Sequence, residues 1–132
     1  MPSRASLVVA FRWLLVLFFT IAGLNHFRDP AFYEAIIPPS IPWHHALVVI
    51  SGIAEIAGGV GVALPLTRRL AGVGLIALLV MVFPANVFMA LGGAQAGVKV
   101  APVLLWARLP LQGVFIAWVW LVTVRYRGSS RL

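Results

Sequence analysis

A single carboxylate lies in the middle of a long apolar stretch of this sequence. Glu55 is about ten residues into a predicted helix over 45–64, which places it about 15 Å along that helix at 1.5 Å per residue. An ionisable group at this depth in a membrane costs several kcal/mol unless it is paired or hydrated, so Glu55 is a functional candidate. A carboxylate there takes up a proton or pairs with a cation, which indicates acid/base chemistry.

Polar side chains on the other predicted helices lie at matching depths. Arg108 is a turn or two inside the fourth helix and is the predicted partner of Glu55, while Gln112 follows Arg108 at i+4 on the same face. Asn86 lies in the same half of the third helix, and His26 ends the first. Because every helix contributes a polar group to one half of the bundle, we predict that these groups share a pocket.

The polar cluster admits two interpretations. It could be a satisfied interhelical network that fixes packing and register. It could also be a proton-handling site, because a buried glutamate beside a histidine and an arginine can exchange protons near neutral pH. A metal centre built from His26, Glu55 and His44 or His45 lacks the usual HxxxH or HxxE spacing, so we expect none. Ser51 has no base near it in sequence, which argues against nucleophilic catalysis.

Four segments of the chain are apolar enough to cross about 30 Å of hydrocarbon, a span that needs about 20 residues. Of the 132 residues, 62% are hydrophobic and 10% are charged, which is more apolar surface than a soluble core of this size can bury. Nothing in the chain alternates like a barrel strand, so we predict an all-α, four-transmembrane-helix bundle that forms a single domain over 1–132. The predicted helices cover 7–26, 45–64, 70–91 and 102–124.

The loop between the first two helices predicts a short interfacial helix over 30–37. Asp29 is an N-cap residue followed by Pro30 at the first helical position, and Pro38 ends the segment. One side of this helix is apolar and would lie on the bundle as a lid; that side consists of Phe32, Ile36 and Ile37. A plain connector between two helix ends is the alternative reading.

The basic residues fall unequally on the two sides of the predicted bundle. Seven lie on the side of the termini and three on the other, which places both ends in the cytoplasm by the positive-inside rule. The seven are Arg4, Arg12, Arg68, Arg69, Arg125, Arg127 and Arg131, and the three are Arg28, Lys99 and Arg108. Since this net charge of +7 flanks apolar runs, we expect it to meet lipid headgroups and exclude nucleic acid as a partner.

Six short runs occur in a fixed order within residues 7–124. They are 22–27 (Ala-Gly-Leu-Asn-His-Phe), Pro30, 52–55 (Gly-Ile-Ala-Glu), 64–65 (Leu-Pro) with Arg68 and Arg69, 83–86 (Phe-Pro-Ala-Asn) with Met89, and 106–112 (Trp-Ala-Arg-Leu-Pro-Leu-Gln). Together they resemble the DoxX-like family of bacterial integral membrane proteins. The resemblance implies a four-helix bundle of the bacterial cytoplasmic membrane that is associated with redox chemistry. Relatives include a subunit of a thiosulfate to quinone oxidoreductase and proteins that accompany thiol or oxidative-stress enzymes, and a remote kinship to sterol-isomerase-like EXPERA bundles has been suggested.

Three classes of function follow from the residues and the resemblance. The first is a redox-associated membrane protein that binds a quinone or another small amphipathic molecule, with His26 and Arg108 holding its oxygen and Glu55 moving protons. The second is an acid/base enzyme acting on a lipid-soluble substrate, and the third is a structural subunit of a larger complex. With no cysteine, the chain cannot relay electrons through thiols.

The predicted site combines proton handling with ligand binding. His26 and Glu55 are the predicted proton-handling pair. The predicted ligand-binding residues are His26, Glu55, Asn86, Trp106, Arg108 and Gln112. The residues define no cofactor, and a quinone is the candidate that the resemblance favours. The expected partner is the lipid bilayer, and a membrane redox complex or a second copy of the chain are further candidates.

Overall fold

The computed structural model describes residues 1–92 and 102–126, and the described chain is almost entirely helical. Its elements are α1 (Arg4–Arg28), α2 (Pro30–Ala35), α3 (His44–Ala63), α4 (Arg68–Ala90), α5 (Pro102–Trp120) and a π-helical turn (Leu121–Arg125). The predicted all-α four-helix bundle is confirmed. The short helix ends at Ala35 rather than at 37, and the last helix changes to π geometry after Trp120.

Four helices of the described chain are long and apolar enough to cross a membrane. They are Arg4–Arg28, His44–Ala63, Arg68–Ala90 and Val103–Arg125. Their outward faces carry large apolar side chains; Ile21 and Ile50 are both 62% exposed. Such a continuous apolar surface is stable in lipid and not in water. The chain is therefore a multi-pass membrane protein.

Local sequence signals set the helix starts. The Ser3 side chain accepts a hydrogen bond from the Ser6 amide at 3.1 Å, which caps α1. Asp29 caps α2, as predicted, by accepting from the Phe32 amide at 3.4 Å. Trp43 precedes α3 in the left-handed region, with φ 58°, a conformation that costs a non-glycine residue about 1–2 kcal/mol. Its side chain is 78% exposed.

Neighbouring membrane helices run antiparallel in a ring. α1 packs on α3, α3 on α4 and α4 on α5, and the π-helical turn closes the ring against α1. We call the end at which α1 reaches Arg28 the α2 end, because α2 lies there. The opposite end carries Arg4, Arg69 and Arg125 and is called the basic end.

The half of the bundle toward the basic end is tightly packed. Its centre is a cluster of fully or nearly buried apolar side chains contributed by all four membrane helices. They are Leu15, Val16, Phe19, Val62, Leu75, Val119 and Val122. Close packing of this kind fixes the relative rotation of the helices. It therefore sets which side chains meet in the other half.

Arg12 belongs to this packed half and not to a loop. Its side chain is only 6% exposed, and its Nε and Nη2 donate to the carbonyl oxygen of Val122 in the π-helical turn at 3.1 and 3.0 Å. Arg12 therefore lies on the side of the termini, but in the bundle interior and not at the surface. Arg68 has a related role, since its Nε donates to the Val62 carbonyl at the end of α3 at 2.9 Å.

Replacing Arg12 with leucine should lower the free energy of unfolding by about 2 kcal/mol, because hydrogen bonds from charged donors are worth about 1.5–3 kcal/mol. Unfolding in mixed detergent micelles, followed by tryptophan fluorescence, measures the loss. Arg69→Leu is the matched control: Arg69 is exposed at the same end and should change stability by less than about 0.5 kcal/mol. Equal effects of the two substitutions would show that the Arg12 bonds contribute nothing.

Candidate functional site

The half of the bundle toward the α2 end is hollow. It contains a partly open cavity of about 250 Å³ to which all four membrane helices and α2 contribute. Its polar lining consists of His26, Tyr33, Ser51, Glu55, Asn86, Arg108 and Gln112. Most of the remaining wall is apolar, including Phe19, Leu78, Val82 and Phe115. Five of the residues expected to share a pocket thus line one cavity.

α1 and α3 come into backbone contact beside this cavity. A Cβ atom on Gly23 would lie 2.7 Å from the carbonyl oxygen of Gly52, and one on Gly52 would lie 2.9 Å from the Cβ of His26. Small residues at both positions therefore let the helices approach closely. This approach brings the His26 Nε2 within 3.0 Å of the Glu55 Oε2.

The hydrogen bond of His26 Nδ1 indicates how many protons His26 and Glu55 hold between them. His26 Nδ1 lies 3.1 Å from the carbonyl oxygen of Val48, which can only accept, so Nδ1 carries a hydrogen. In a neutral ring Nε2 is then a bare acceptor. Its contact with Glu55 Oε2 is favourable only when one proton lies between them, on the imidazole or on the carboxyl group. We call His26 and Glu55 the dyad; with that proton its net charge is zero.

The dyad is shielded from water. The side chains of His26 and Glu55 are 10% and 16% exposed, and Glu55 Oε2 has no other hydrogen-bond partner among the described residues. The His26 ring also packs against the Tyr33 ring, with 4.0 Å between centroids. Proton exchange with a molecule in the cavity is thus the chemistry open to this pair.

Arg108 does not pair with Glu55 as expected. The described chain has no contact within 4.0 Å between these two charged groups, and the partner of Glu55 is His26. Arg108 is half-buried and lines the same cavity from α5. The Gly23–Gly52 contact explains the difference, because it brings α1 closer to α3 at this level than spacing alone could predict.

Asn86 and Gln112 form a second polar link, between α4 and α5. Asn86 Nδ2 donates to Gln112 Oε1 at 2.6 Å, and Gln112 Nε2 donates to the Leu79 carbonyl oxygen. Pro84 lies inside α4 and has no N–H to donate to the carbonyl of Val80, the residue after Leu79. Gln112 is 4% exposed. The packing-network interpretation therefore describes this link well, although both side chains also face the cavity.

Trp106, a predicted ligand-binding residue, does not line this cavity. It is 51% exposed. At about 100° per residue, a side chain two positions before Arg108 points about 200° away from it. The lining residues of α5 keep the helical spacing that Trp106 breaks; they are Arg108, Leu111, Gln112 and Phe115.

α2 covers the cavity through a residue that sequence reasoning missed. Tyr33, Ile36 and Ile37 line the cavity, whereas Phe32 does not. The Tyr33 hydroxyl accepts from Asn25 Nδ2 at 2.7 Å, which holds α2 on α1. An aromatic residue within a short segment above a polar pocket was the available signal.

His44 and His45, at the start of α3, contact α2 and the segment that follows it. His45 Nδ1 lies 2.7 Å from Glu34 Oε1, which ties α2 to the start of α3. His44 Nε2 lies 3.2 Å from the carbonyl oxygen of Pro38. Neither ring lines the cavity.

A groove on the outer side of α1 adjoins the cavity. The two share Phe18, Ala22 and Tyr33. The rest of the groove is formed by Ile21, Leu24, Asn25 and Arg28. On its other side, Phe18 stacks on Phe115 of α5 with ring centroids 4.9 Å apart.

Comparison with known proteins identifies the family. The model of a domain of unknown function, DUF8561, matches residues 15–123. The chain belongs to the DUF8561 family. No curated protein and no solved structure gives a significant match. The part shared with DUF8561 includes every residue that lines the cavity, from Phe18 to Phe115. The resemblance to the DoxX-like proteins stays a prediction.

Proposed function

We propose that this member of DUF8561 is a redox-associated membrane protein that binds a small amphipathic molecule, such as a quinone, in the cavity at the α2 end. The observation that carries the proposal is the dyad, His26 Nε2 to Glu55 Oε2 at 3.0 Å, on the wall of a mostly apolar cavity. An apolar wall with a few polar groups is the usual composition of a ligand site. The DoxX-like resemblance supports the redox association.

The size of the cavity suits one ring or one compact head group. A buried apolar cavity of about 150 Å³ is enough to bind benzene. The present cavity, at about 250 Å³, has room for a substituted ring together with the first part of a tail. Glu55 and His26 would exchange a proton with the oxygen of the bound molecule. Arg108 and the amides of Asn86 and Gln112 offer further donors to such an oxygen.

We place the protein in the bacterial cytoplasmic membrane with both termini in the cytoplasm. Arg12 and Arg108 lie inside the bundle, so neither bears on orientation, and six basic residues on the side of the termini then face two on the other. Lys99, Arg127 and Arg131 in this count are placed by sequence alone, since they lie outside the described residues. This excess of basic residues still favours the orientation in which the basic end faces the cytoplasm. The cavity would then open toward the outer leaflet, where a membrane redox complex or a second copy of the chain could meet it.

Filling the cavity tests the proposal. Decylubiquinone binding to the purified protein in neutral detergent is measured by quenching of tryptophan fluorescence. Ser51→Leu puts a larger side chain into the cavity and should weaken binding by about tenfold, equivalent to about 1.4 kcal/mol. Ala57→Leu on the exposed face of α3 is the control and should leave the affinity unchanged.

The dyad gives the same measurement a second readout. Glu55→Gln replaces the carboxyl group, which can give or take a proton, by an amide, which cannot, and should weaken decylubiquinone binding. Absence of decylubiquinone binding by the wild-type protein would refute a quinone as the ligand, and equal binding by Ser51→Leu and Ala57→Leu would refute the proposed site.

A further inference from the structure

The acids of this chain are few, and each already has a partner. The sequence contains three Asp and Glu residues, Asp29, Glu34 and Glu55, all of which lie in the described part. Asp29 caps α2, Glu34 contacts His45 at 2.7 Å, and Glu55 contacts His26 at 3.0 Å. No acidic side chain is therefore left to neutralise another cation within the bundle.

Among the arginines that face the interior of the described bundle, Arg108 has neither an acidic partner nor a carbonyl acceptor. It is half-buried on the cavity wall, and it makes no hydrogen bond or ion pair with the residues that the structure describes. The other inward arginines differ, since Arg12 and Arg68 donate to backbone carbonyls at the basic end. Arg108 thus contributes a positively charged guanidinium group to the cavity, and no described acidic side chain pairs with it.

The charge balance of the cavity follows from these contacts. The dyad with its one proton is neutral, and Asn86, Gln112 and Ser51 carry no charge, so Arg108 leaves the cavity with a net charge of about +1. An unpaired charge in a membrane interior costs several kcal/mol, and an anion beside it offsets that cost. The planar guanidinium matches the two oxygens of a carboxylate or phosphate.

We infer that the molecule in the cavity is an acidic amphiphile whose carboxylate or phosphate head pairs with Arg108. The inference rests on the proposed function and narrows its ligand class. The head lies between Arg108 and the dyad, and the hydrocarbon lies against apolar side chains such as Phe19, Leu78 and Val82. Glu55 does not repel the head, because His26 shares its proton and holds its carboxyl group in place.

The test compares three ligands with the same hydrocarbon chain: decanoate, decyl phosphate and methyl decanoate. Affinities are measured by calorimetry on the full-length protein in neutral maltoside micelles and are corrected for ligand taken up by the micelles. Wild-type protein should bind the better of the two anions about tenfold or more tightly than the neutral ester. The tighter of the two anions identifies the head group as carboxylate or phosphate.

Three variants assign the preference to Arg108. Arg108→Gln should bind anion and ester alike, while Arg108→Lys should keep part of the preference because it retains the charge without the two-pronged geometry. Arg69→Gln, which removes an exposed arginine far from the cavity, should behave as the wild type does. A preference that persists in Arg108→Gln overturns the inference.

The ligand affinities of the wild-type protein test the acidic head group even where a variant does not fold. Equal affinity for decanoate, decyl phosphate and methyl decanoate overturns the acidic head, while the cavity itself remains a binding site. Binding of decylubiquinone in preference to both anions has the same meaning and identifies a neutral occupant. Failure of all four molecules to bind refutes the proposed function as well.

Discussion

Replacing His26 with alanine should lower the free energy of unfolding by about 3–5 kcal/mol, the cost of leaving one member of a buried charged pair without its partner. The Glu55 Oε2 is buried, and its close polar contact is His26 Nε2 at 3.0 Å. The substitution also removes the hydrogen bond to the Val48 carbonyl, which keeps the ring orientation fixed. Reversible unfolding in mixed micelles, monitored by circular dichroism, gives the value.

The matched variant on the other side of the dyad is Glu55→Gln. The glutamine amide can donate to the bare Nε2 of His26 and has nearly the same shape, so stability should change by only about 1 kcal/mol. The double variant His26→Ala/Glu55→Gln should be more stable than His26→Ala alone, because no carboxyl group is then left unpartnered. Strict additivity of the two single effects would show that these side chains do not interact.

Replacing Gly23 with alanine should lower the free energy of unfolding by about 3 kcal/mol, at the upper end for an overpacked interior. The added Cβ would lie 2.7 Å from the Gly52 carbonyl oxygen and 3.0 Å from the Ile56 backbone nitrogen. Both are main-chain atoms of α3, so no side chain can rotate away and the two helices must separate. Reversible unfolding in mixed micelles, monitored by circular dichroism, measures this loss as well.

Gly74→Ala is the control for this substitution. Gly74 also lies within a membrane helix, but a Cβ there would have nothing within 4 Å, and alanine favours helix by about 1 kcal/mol over glycine. It should therefore be neutral or stabilising. If Gly23→Ala proves as stable as Gly74→Ala, the close approach of α1 and α3 is not what holds the dyad together.

Depth along each helix could be predicted from the sequence, but rotation could not. Counting 1.5 Å per residue placed His26, Glu55 and Arg108 in the same half of the bundle, and they do line one cavity. The partner of Glu55 was predicted wrongly because it depends on how closely α1 and α3 approach. That distance is set by the meeting of Gly23 and Gly52, which lie on different helices.

The positions of Trp106, α2 and Arg12 also depend on local geometry that the sequence pattern did not give. Trp106 belongs to the same run, 106–112, as Arg108 and Gln112, but helical geometry turns it away from the cavity that those two residues line. α2 has only six residues, too few for periodicity to decide between Phe32 and Tyr33 as the residue that faces the bundle. Arg12 was assigned only a side of the bundle, although an arginine eight residues past the Arg4 start of α1 is itself a signal of an interior partner.

The contact between α1 and α5 determines how a ligand can reach the cavity. The hydrogen bond and the ring contacts between these two helices involve the part of α1 from Phe11 to Phe18. Closer to the α2 end, the cavity shares Phe18, Ala22 and Tyr33 with the groove on the outer side of α1, which faces hydrocarbon. A molecule can therefore dissolve in the bilayer first and enter sideways. Each added methylene then strengthens apparent binding from water by about 0.8 kcal/mol through partitioning alone. Expressed as a mole fraction in lipid, the affinity should hardly change with tail length.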